Sequence, residues 1–239
     1  MNFSLKYLRF GENSILVEWP EAIQKKILLD IIQFKRSIEK NHKVESLKSS
    51  YNSLLIEFKD LKNFNKEIEN LRKLYFDKKS AEIPNFYRWT IPVCYEEEFG
   101  IDLKRLEKKL ELKKDQIISI HKSSNYIVYN IGFVPGFLYL GGLNKKIHCP
   151  RKESPLQNVL KGSVGIGGSQ TGIYPQNSPG GWNIIGNSPI NLFDPNNKPP
   201  CIIKSGDQVC FERISLEEHS KIKIDIELNK FKLKKIKYD

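Results

Sequence analysis

Glycine is spread so unevenly along this chain that it divides the fold before any other feature is read. Of the 15 glycines only Gly11 and Gly100 precede Gly132, and of the 12 prolines only Pro20, Pro84 and Pro92 do. Glycine supplies positive φ and proline cannot donate to a ladder, so both punctuate regular structure. The first half must therefore be built from longer uninterrupted elements and the second from short ones. Turn signals recur through the second half at Pro135-Gly136, Gly141-Gly142, Gly167-Gly168, Gly180-Gly181, Asn187-Ser188-Pro189, Asp194-Pro195-Asn196 and Ser205-Gly206-Asp207. Short strands between such turns predict a closed barrel or a sandwich from Tyr126 onward.

The first half reads as α+β. Ser14–Trp19 is a short strand, and Pro20-Glu21 suits the first turn of a helix. Ile23, Ile27, Leu28, Ile31, Phe34 and Ile38 then make one apolar helical face. Strands are expected at Val44–Leu47 and Ser53–Phe58, followed by a second amphipathic helix on Phe64, Ile68, Leu71 and Tyr75. This β-α-β-β-α order matches a ferredoxin-like unit. Lys78–Asn85 is the expected linker. Beyond it come a strand at Tyr87–Tyr95, a helix capped by Asp102, and a short helix from Asp115 to about His121. The tail from Lys221 to Asp239 is basic, and the alternation of Ile222, Ile224 and Ile226 predicts strands there.

Several function classes are set aside. Apolar residues make up 39% of the chain, enough for a packed core. The net charge of +11 is carried by lysines interleaved with glutamate, as in Lys104-Arg105-Leu106-Glu107, which reads as solvated helix rather than a nucleic-acid surface. Cys94, Cys149, Cys201 and Cys210 form no CxxC, so neither a zinc site nor a disulfide framework is expected. No leader-like segment opens the chain and no apolar run approaches the roughly 20 residues that cross a bilayer, so a soluble cytoplasmic protein is expected. The run Gly162-Ser-Val-Gly-Ile-Gly-Gly168 lacks the Gly-Lys-Ser/Thr ending of a phosphate loop. His219 sits in a charged stretch and reads as exposed. His121, near a helix C-terminus, either caps the last carbonyls or gains imidazolium character from the helix dipole.

A longer pattern occupies His121 to Asp194. It runs His121-Lys-Ser-Ser-Asn-Tyr126, Ile131-Gly-Phe-Val-Pro-Gly-Phe-Leu-Tyr-Leu-Gly141, Cys149-Pro-Arg151 and Gly162-Ser-Val-Gly-Ile-Gly-Gly168. It continues through Gln170-Thr-Gly-Ile-Tyr-Pro175, Ser178-Pro-Gly-Gly-Trp182, Ile185-Gly186 and Leu192-Phe-Asp194. These blocks, in this order and spacing, resemble the KipI-like family, also known as allophanate hydrolase subunit 1 or the 5-oxoprolinase B subunit. Ile91–Tyr95 and Ser205–Phe211 extend the likeness. Glu96-Glu97, Leu156 and Leu160 depart from the usual pattern, and the tail 221–239 is unmatched.

The resemblance implies an α+β chain with a ferredoxin-like domain over residues 1–84 and a cyclophilin-like β-barrel over 85–239. It implies a component of an ATP-dependent 5-oxoprolinase, which opens 5-oxo-L-proline to L-glutamate together with a lactam-utilisation-type A subunit and a KipA-like C subunit. ATP with Mg would be used by the assembled complex, and this chain alone would be inactive. A regulator of a sensor histidine kinase and a component of a urea amidolyase-type system are the alternatives within the same family. Lactam opening needs a cation for carboxylate or phosphate, fixed donors and a proton-transfer group. Candidate catalytic groups are Arg151 as a bidentate fork, His121 as a titratable imidazole and Gln170 as a donor; Thr171 and Tyr174 are candidate substrate contacts. Phe133, Phe137, Tyr139 and Trp182 are candidates for the partner interface or, alternatively, for core.

Overall fold

The computed structural model describes residues 3–77 and 84–238. Most of the expected linker, residues 78–83, lies outside the described residues. The chain forms two compact units, residues 1–85 and 86–239.

The first unit runs β1 (Lys6–Arg9), β2 (Ser14–Glu18), α1 (Lys25–Asn41), β3 (Ser46–Ser49), β4 (Ser53–Glu57) and α2 (Phe64–Asp77). Its antiparallel sheet has the order β1-β2-β4-β3. Every second residue of the two central strands is buried, so Ile15, Val17, Leu54 and Ile56 face one way. Ile27, Ile31, Phe34 and Ile38 of α1 and Leu71 and Tyr75 of α2 close over them. The buried Asp30 carboxylate accepts from Trp19 Nε1 (2.8 Å) and Tyr75 Oη (2.7 Å), which satisfies it inside the layer. Two features differ from the sequence reading. Helix α1 starts at Lys25, because Pro20 and Ala22 close a tight turn instead. Strand β1 is additional to the expected elements: its KYLR sequence faces solvent almost throughout and carries no alternation to read.

The second unit is a closed barrel. Its strands are β5 (Phe86–Cys94), β6 (Tyr126–Ile131), β7 (Leu138–Gly141), β9 (Ser163–Gly167), β10 (Gln170–Ile173), β12 (Asn183–Asn187) and β13 (Gln208–Ile214). The ring is β5-β12-β9-β10-β7-β6-β13 and back to β5. All neighbours are antiparallel except β5 and β13, which run parallel from Arg88↔Gln208 to Cys94↔Ile214. Strand β12 reaches β5 only at Asn187↔Cys94. Residues Phe86–Thr90 of that β5 edge are covered by β14 (Lys234–Tyr238). A small two-stranded sheet, β8 (Leu156–Val159) and β11 (Ser178–Gly180), stands apart from the ring. Inward residues such as Ile91, Val93, Val128, Leu138, Leu140, Val164, Ile166, Ile173, Ile185 and Phe211 fill the barrel, and α3 (Leu103–Leu110) and α4 (Lys114–Lys122) pack on the same core.

The Ser205-Gly206-Asp207 turn has a specific task. Asp207, fully buried, accepts from Tyr87 N–H (2.9 Å), Trp89 Nε1 (2.9 Å) and Lys204 N–H (3.1 Å), stitching the start of β13 to β5. The first part of the tail corrects the strand expectation, while Lys234–Tyr238 at its end is a strand. Residues Leu216–Glu227 form helix α5, begun by Ser215, whose side chain accepts from Glu218 N–H while Glu218 caps the Ser215 amide in return. That Ser-x-x-Glu box outweighs the local alternation of isoleucines. Among the described residues no helix is long and apolar enough to cross a membrane, and no group of three or more metal-ligating side chains occurs.

Candidate functional site

Strand alternation sends Thr171 and Ile173 of β10 and Val164 and Ile166 of β9 into the barrel, and leaves Gly165, Gly167 and Gly172 on the outer face. Register aligns them: Gly172 lies opposite Gly165 on one side and Tyr139 of β7 on the other. The glycines form a bed for aromatic rings. A Cβ on Gly167 would lie 2.7 Å from the Trp182 indole. One on Gly172 would lie 2.7 Å from the Leu138 carbonyl and 3.0 Å from both Phe137 and Trp182. These glycines of the signature thus serve close packing. Gly172→Ala must push backbone as well as rings, so it should cost about 1–3 kcal/mol in urea unfolding. A variant as stable as the parent would refute this role.

On that bed sits a second, smaller apolar cluster of Phe137, Val159, Tyr174, Trp182 and Ile184. Phe137 is its hub, meeting Tyr174 edge-on at 5.0 Å and Trp182 at 5.4 Å between ring centroids. Above the cluster opens a pocket of about 260 Å³ bounded by Phe133, Phe137, Tyr139, Tyr174, Trp182 and Arg151, with Pro155, Pro179 and the Gly180-Gly181 backbone. The Arg151 guanidinium stands 5.6 Å from the Trp182 ring centroid, in cation–π range. Burial pushes the Tyr139 and Tyr174 phenols up, against the opposing pull of Arg151, so both remain neutral donors.

The chain holds Arg151 on a tethered strap. Cys149 and Gly168 exchange both backbone hydrogen bonds (3.1 and 2.7 Å), and Lys152 N–H donates to the Gly181 carbonyl (2.7 Å). Asn183 Nδ2 donates to the Pro150 carbonyl at 3.0 Å. Lys152 itself turns inward to Asp102 (2.7 Å), with the two side chains only 14% and 10% exposed. This corrects the cap expectation. Asp102 makes no side-chain cap on α3; it accepts the Ile184 amide (2.7 Å) and neutralises Lys152. Lys152 is therefore not a second cation beside Arg151. Arg105 completes the knot, contacting Asp102 (3.7 Å) and the Asn183 side chain.

His121 is placed elsewhere. It is fully buried, with its ring stacked on Phe211 at 4.5 Å. Thr171 donates its hydroxyl hydrogen to the Gly165 carbonyl (2.9 Å), so its oxygen can only accept from His121 Nε2–H (2.9 Å). Nδ1 then accepts from Tyr95 O–H at 2.9 Å. Burial lowers the His121 pKa from 6.5 to about 3, so the imidazole is neutral, not dipole-stabilised imidazolium, and its side chain caps no carbonyl. Gln170, half-buried on the outer face at the start of β10, is not part of the pocket wall. His219 also departs from expectation: it is buried, donating Nε2–H to Asn187 Oδ1 (2.9 Å), with its ring tilted against Phe99 at 4.5 Å.

The structure thus gathers Arg151 and Tyr174 with all four singled-out aromatics, and sets His121, Thr171 and Gln170 apart. Of those aromatics, Phe137 and Trp182 are buried, Tyr139 is half-buried, and Phe133 is exposed. The roles of Asp102, Asn183 and Tyr95 here escape a sequence reading, since nothing local marks the partners of Tyr95 and Asp102, 26 and 82 residues away.

The family described as carboxyltransferase domain, subdomain C and D, matches residues 5–203. A curated relative, the 5-oxoprolinase B subunit of Haemophilus influenzae, is 36% identical over 201 residues, covering 84% of this chain and 94% of that protein. The protein of the same name from Bacillus subtilis is 49% identical over 129 residues, a stretch spanning 54% of this chain and about half, 54%, of the relative. Among solved structures, the K. lactis urea amidolyase superposes with a TM-score of 0.82 at 20% identity, covering 99% of this chain and 16% of that one; this likeness is one of fold.

Proposed function

This chain belongs to the carboxyltransferase-domain subdomain C and D family, among its 5-oxoprolinase members, and from that premise we propose that it is the B subunit of an ATP-dependent 5-oxoprolinase. In this reading it works with a lactam-utilisation-type A subunit and a KipA-like C subunit to convert 5-oxo-L-proline into L-glutamate in the cytoplasm. The first unit is read as ferredoxin-like, its fourth strand supplied by β1 of the N-terminal hairpin, and the second as a cyclophilin-like barrel. Of the aromatics proposed for contact with the C subunit, Phe133 and the edge of Tyr139 are the accessible ones.

The observation that carries the reading is the pairing of Arg151 with Trp182 at the mouth of a metabolite-sized aromatic pocket. A guanidinium forks onto a carboxylate, and an indole face supports a flat ring. Tyr174 adds a neutral phenol at the pocket wall. Gln170 is proposed to donate from the outer face, toward the junction with a partner. His121 is a positioning residue: through Thr171 it fixes β10, and with it Gly172, under the rings. The same pocket does not fit a nucleoside triphosphate with its Mg ion. Its volume lies below the roughly 300–1,000 Å³ usual for larger ligands, it offers one cation, and no carboxylate lines it. No step involving ATP is therefore assigned to this chain.

The test is coexpression with the A and C subunits and measurement of glutamate formed from 5-oxo-L-proline. The chain alone should be inactive. Arg151→Ala and Gln170→Ala should each lower kcat/KM of the complex about tenfold or more, about 1.4 kcal/mol of transition-state stabilisation, with melting unchanged. Full activity of Arg151→Ala, or turnover by the isolated chain, would remove the basis of this assignment.

A further inference from the structure

Among the described residues, three non-glycine residues hold positive φ: Glu111 (54°), Asn229 (56°) and Phe133 (70°). The first two follow helix ends, where a left-handed residue is the ordinary way to stop. Phe133 has no such reason. It lies in the connection between β6 and β7, where an aromatic residue in this region is disfavoured. Nor is it buried in compensation, since its side chain is 64% exposed. Strain that persists without a packing return points to function.

The loop around it is firmly held. Gly132 N–H donates to the Phe137 carbonyl (3.2 Å) and Phe137 N–H to the Val134 carbonyl (3.1 Å). Gly136 is pressed so closely on Phe193 that a Cβ there would lie 2.6 Å from it. The backbone at Phe133 is thus fixed at both sides while its ring is raised to the pocket rim, edge-on to Phe137 at 5.8 Å. The cavity beneath has aromatic walls and a single charged side chain, Arg151, because Lys152 is consumed by Asp102. Such a space fits a ring about the size of a five-membered lactam bearing one carboxylate. It does not suit a polyanion, which would need more cations, or an ammonium group, which would meet Arg151.

We propose that Phe133 is a specificity-determining lid, held in a strained conformation so that its ring closes over a small planar ring whose single carboxylate is bound by Arg151. This rests on the assignment of the pocket given above and adds the residue that selects its ligand.

The experiment measures calorimetric binding of 5-oxo-L-proline, of pyrrolidin-2-one (the ring without carboxylate) and of L-glutamate to the full chain, and KM in the assembled complex. Phe133→Gly relieves the strain and removes the lid. It should melt at or above the parent temperature, yet bind 5-oxo-L-proline at least tenfold more weakly and raise KM with little change in kcat. Arg151→Ala should abolish the preference for 5-oxo-L-proline over pyrrolidin-2-one, and L-glutamate should bind more weakly than the lactam throughout. Unchanged binding and KM in Phe133→Gly, with Arg151→Ala impaired, would overturn the lid while leaving the pocket assignment standing. If Phe133→Gly instead loses only copurification with the C subunit, Phe133 is a partner contact and the lid is wrong. Failure of the parent chain and of the complex to recognise 5-oxo-L-proline would overturn both.

Discussion

Asp102→Ala should destabilise the protein by about 3–5 kcal/mol, because it leaves a buried ammonium without its counter-charge. Lys152 and Asp102 meet at 2.7 Å with little exposure, and the same carboxylate holds the Ile184 amide. Removing it leaves that N–H unmatched and frees the strap carrying Arg151 as well as exposing the charge defect. Urea titration should show the loss, and the remaining folded protein should show weakened Arg151-dependent binding. The double change Asp102→Leu with Lys152→Met should recover most of the stability, since replacing both partners by apolar side chains removes the uncompensated charge. A single variant within about 1 kcal/mol of the parent would mean that water reaches Lys152 and the knot is not dry.

The second large effect is on acid stability. His121 titrates near 6.5 when unfolded and near 3 when folded, because burial disfavours its cation. Above pH 6.5 neither state holds the proton and this residue imposes no penalty. As pH falls below 6.5 the unfolded chain takes up a proton that the folded chain refuses, so stability declines by about 1.4 kcal/mol per pH unit until about pH 3. The accumulated loss from this one side chain is of the order of 5 kcal/mol. His121→Asn cannot titrate. It should be weaker than the parent at pH 8, having lost part of the Tyr95–His121–Thr171 chain, but its stability should fall less steeply between pH 6 and 4. Parallel slopes for the two proteins would show that His121 is protonated in the native state and that its isolation is incomplete.

Much of the architecture was legible because it rests on local physics. The turns of the second half follow from glycine and proline, and the two helices of the first unit follow from apolar residues at helical spacing. The expected Asp102 cap failed for a different reason: a carboxylate before a helix has a default local use, and only tertiary structure shows that Lys152 and the Ile184 amide compete for it. Only the first part of the tail misled, because Ile222, Ile224 and Ile226 satisfy a period of two, while the Ser215–Glu218 box that starts α5 lies just ahead of them. The pocket was half legible. Arg151 and its aromatics are motif residues, but their convergence depends on Gly165, Gly167 and Gly172 aligning across two strands, a register that spacing alone does not disclose. His121 was recognisable as unusual; its hydroxyl partners, Tyr95 and Thr171, lie 26 and 50 residues away.

The parallel pairing of β5 with β13 has a consequence for biosynthesis. These two strands are the first and last of the ring, separated by about 120 positions along their whole register. Apart from the β6–β13 seam, which waits on the same strand, every other seam of the barrel joins segments that emerge earlier, so the ring stays an open sheet until residue 214 has left the ribosome. At roughly 5–20 residues per second the edge of β5 waits about 6–24 s for its partner. Closing so long a loop is slow even then, because its entropic cost precedes any reward from contacts. During that interval Ile91, Val93 and the unpaired β5 backbone are available to neighbouring chains, the exposure that shielding of the nascent chain would limit.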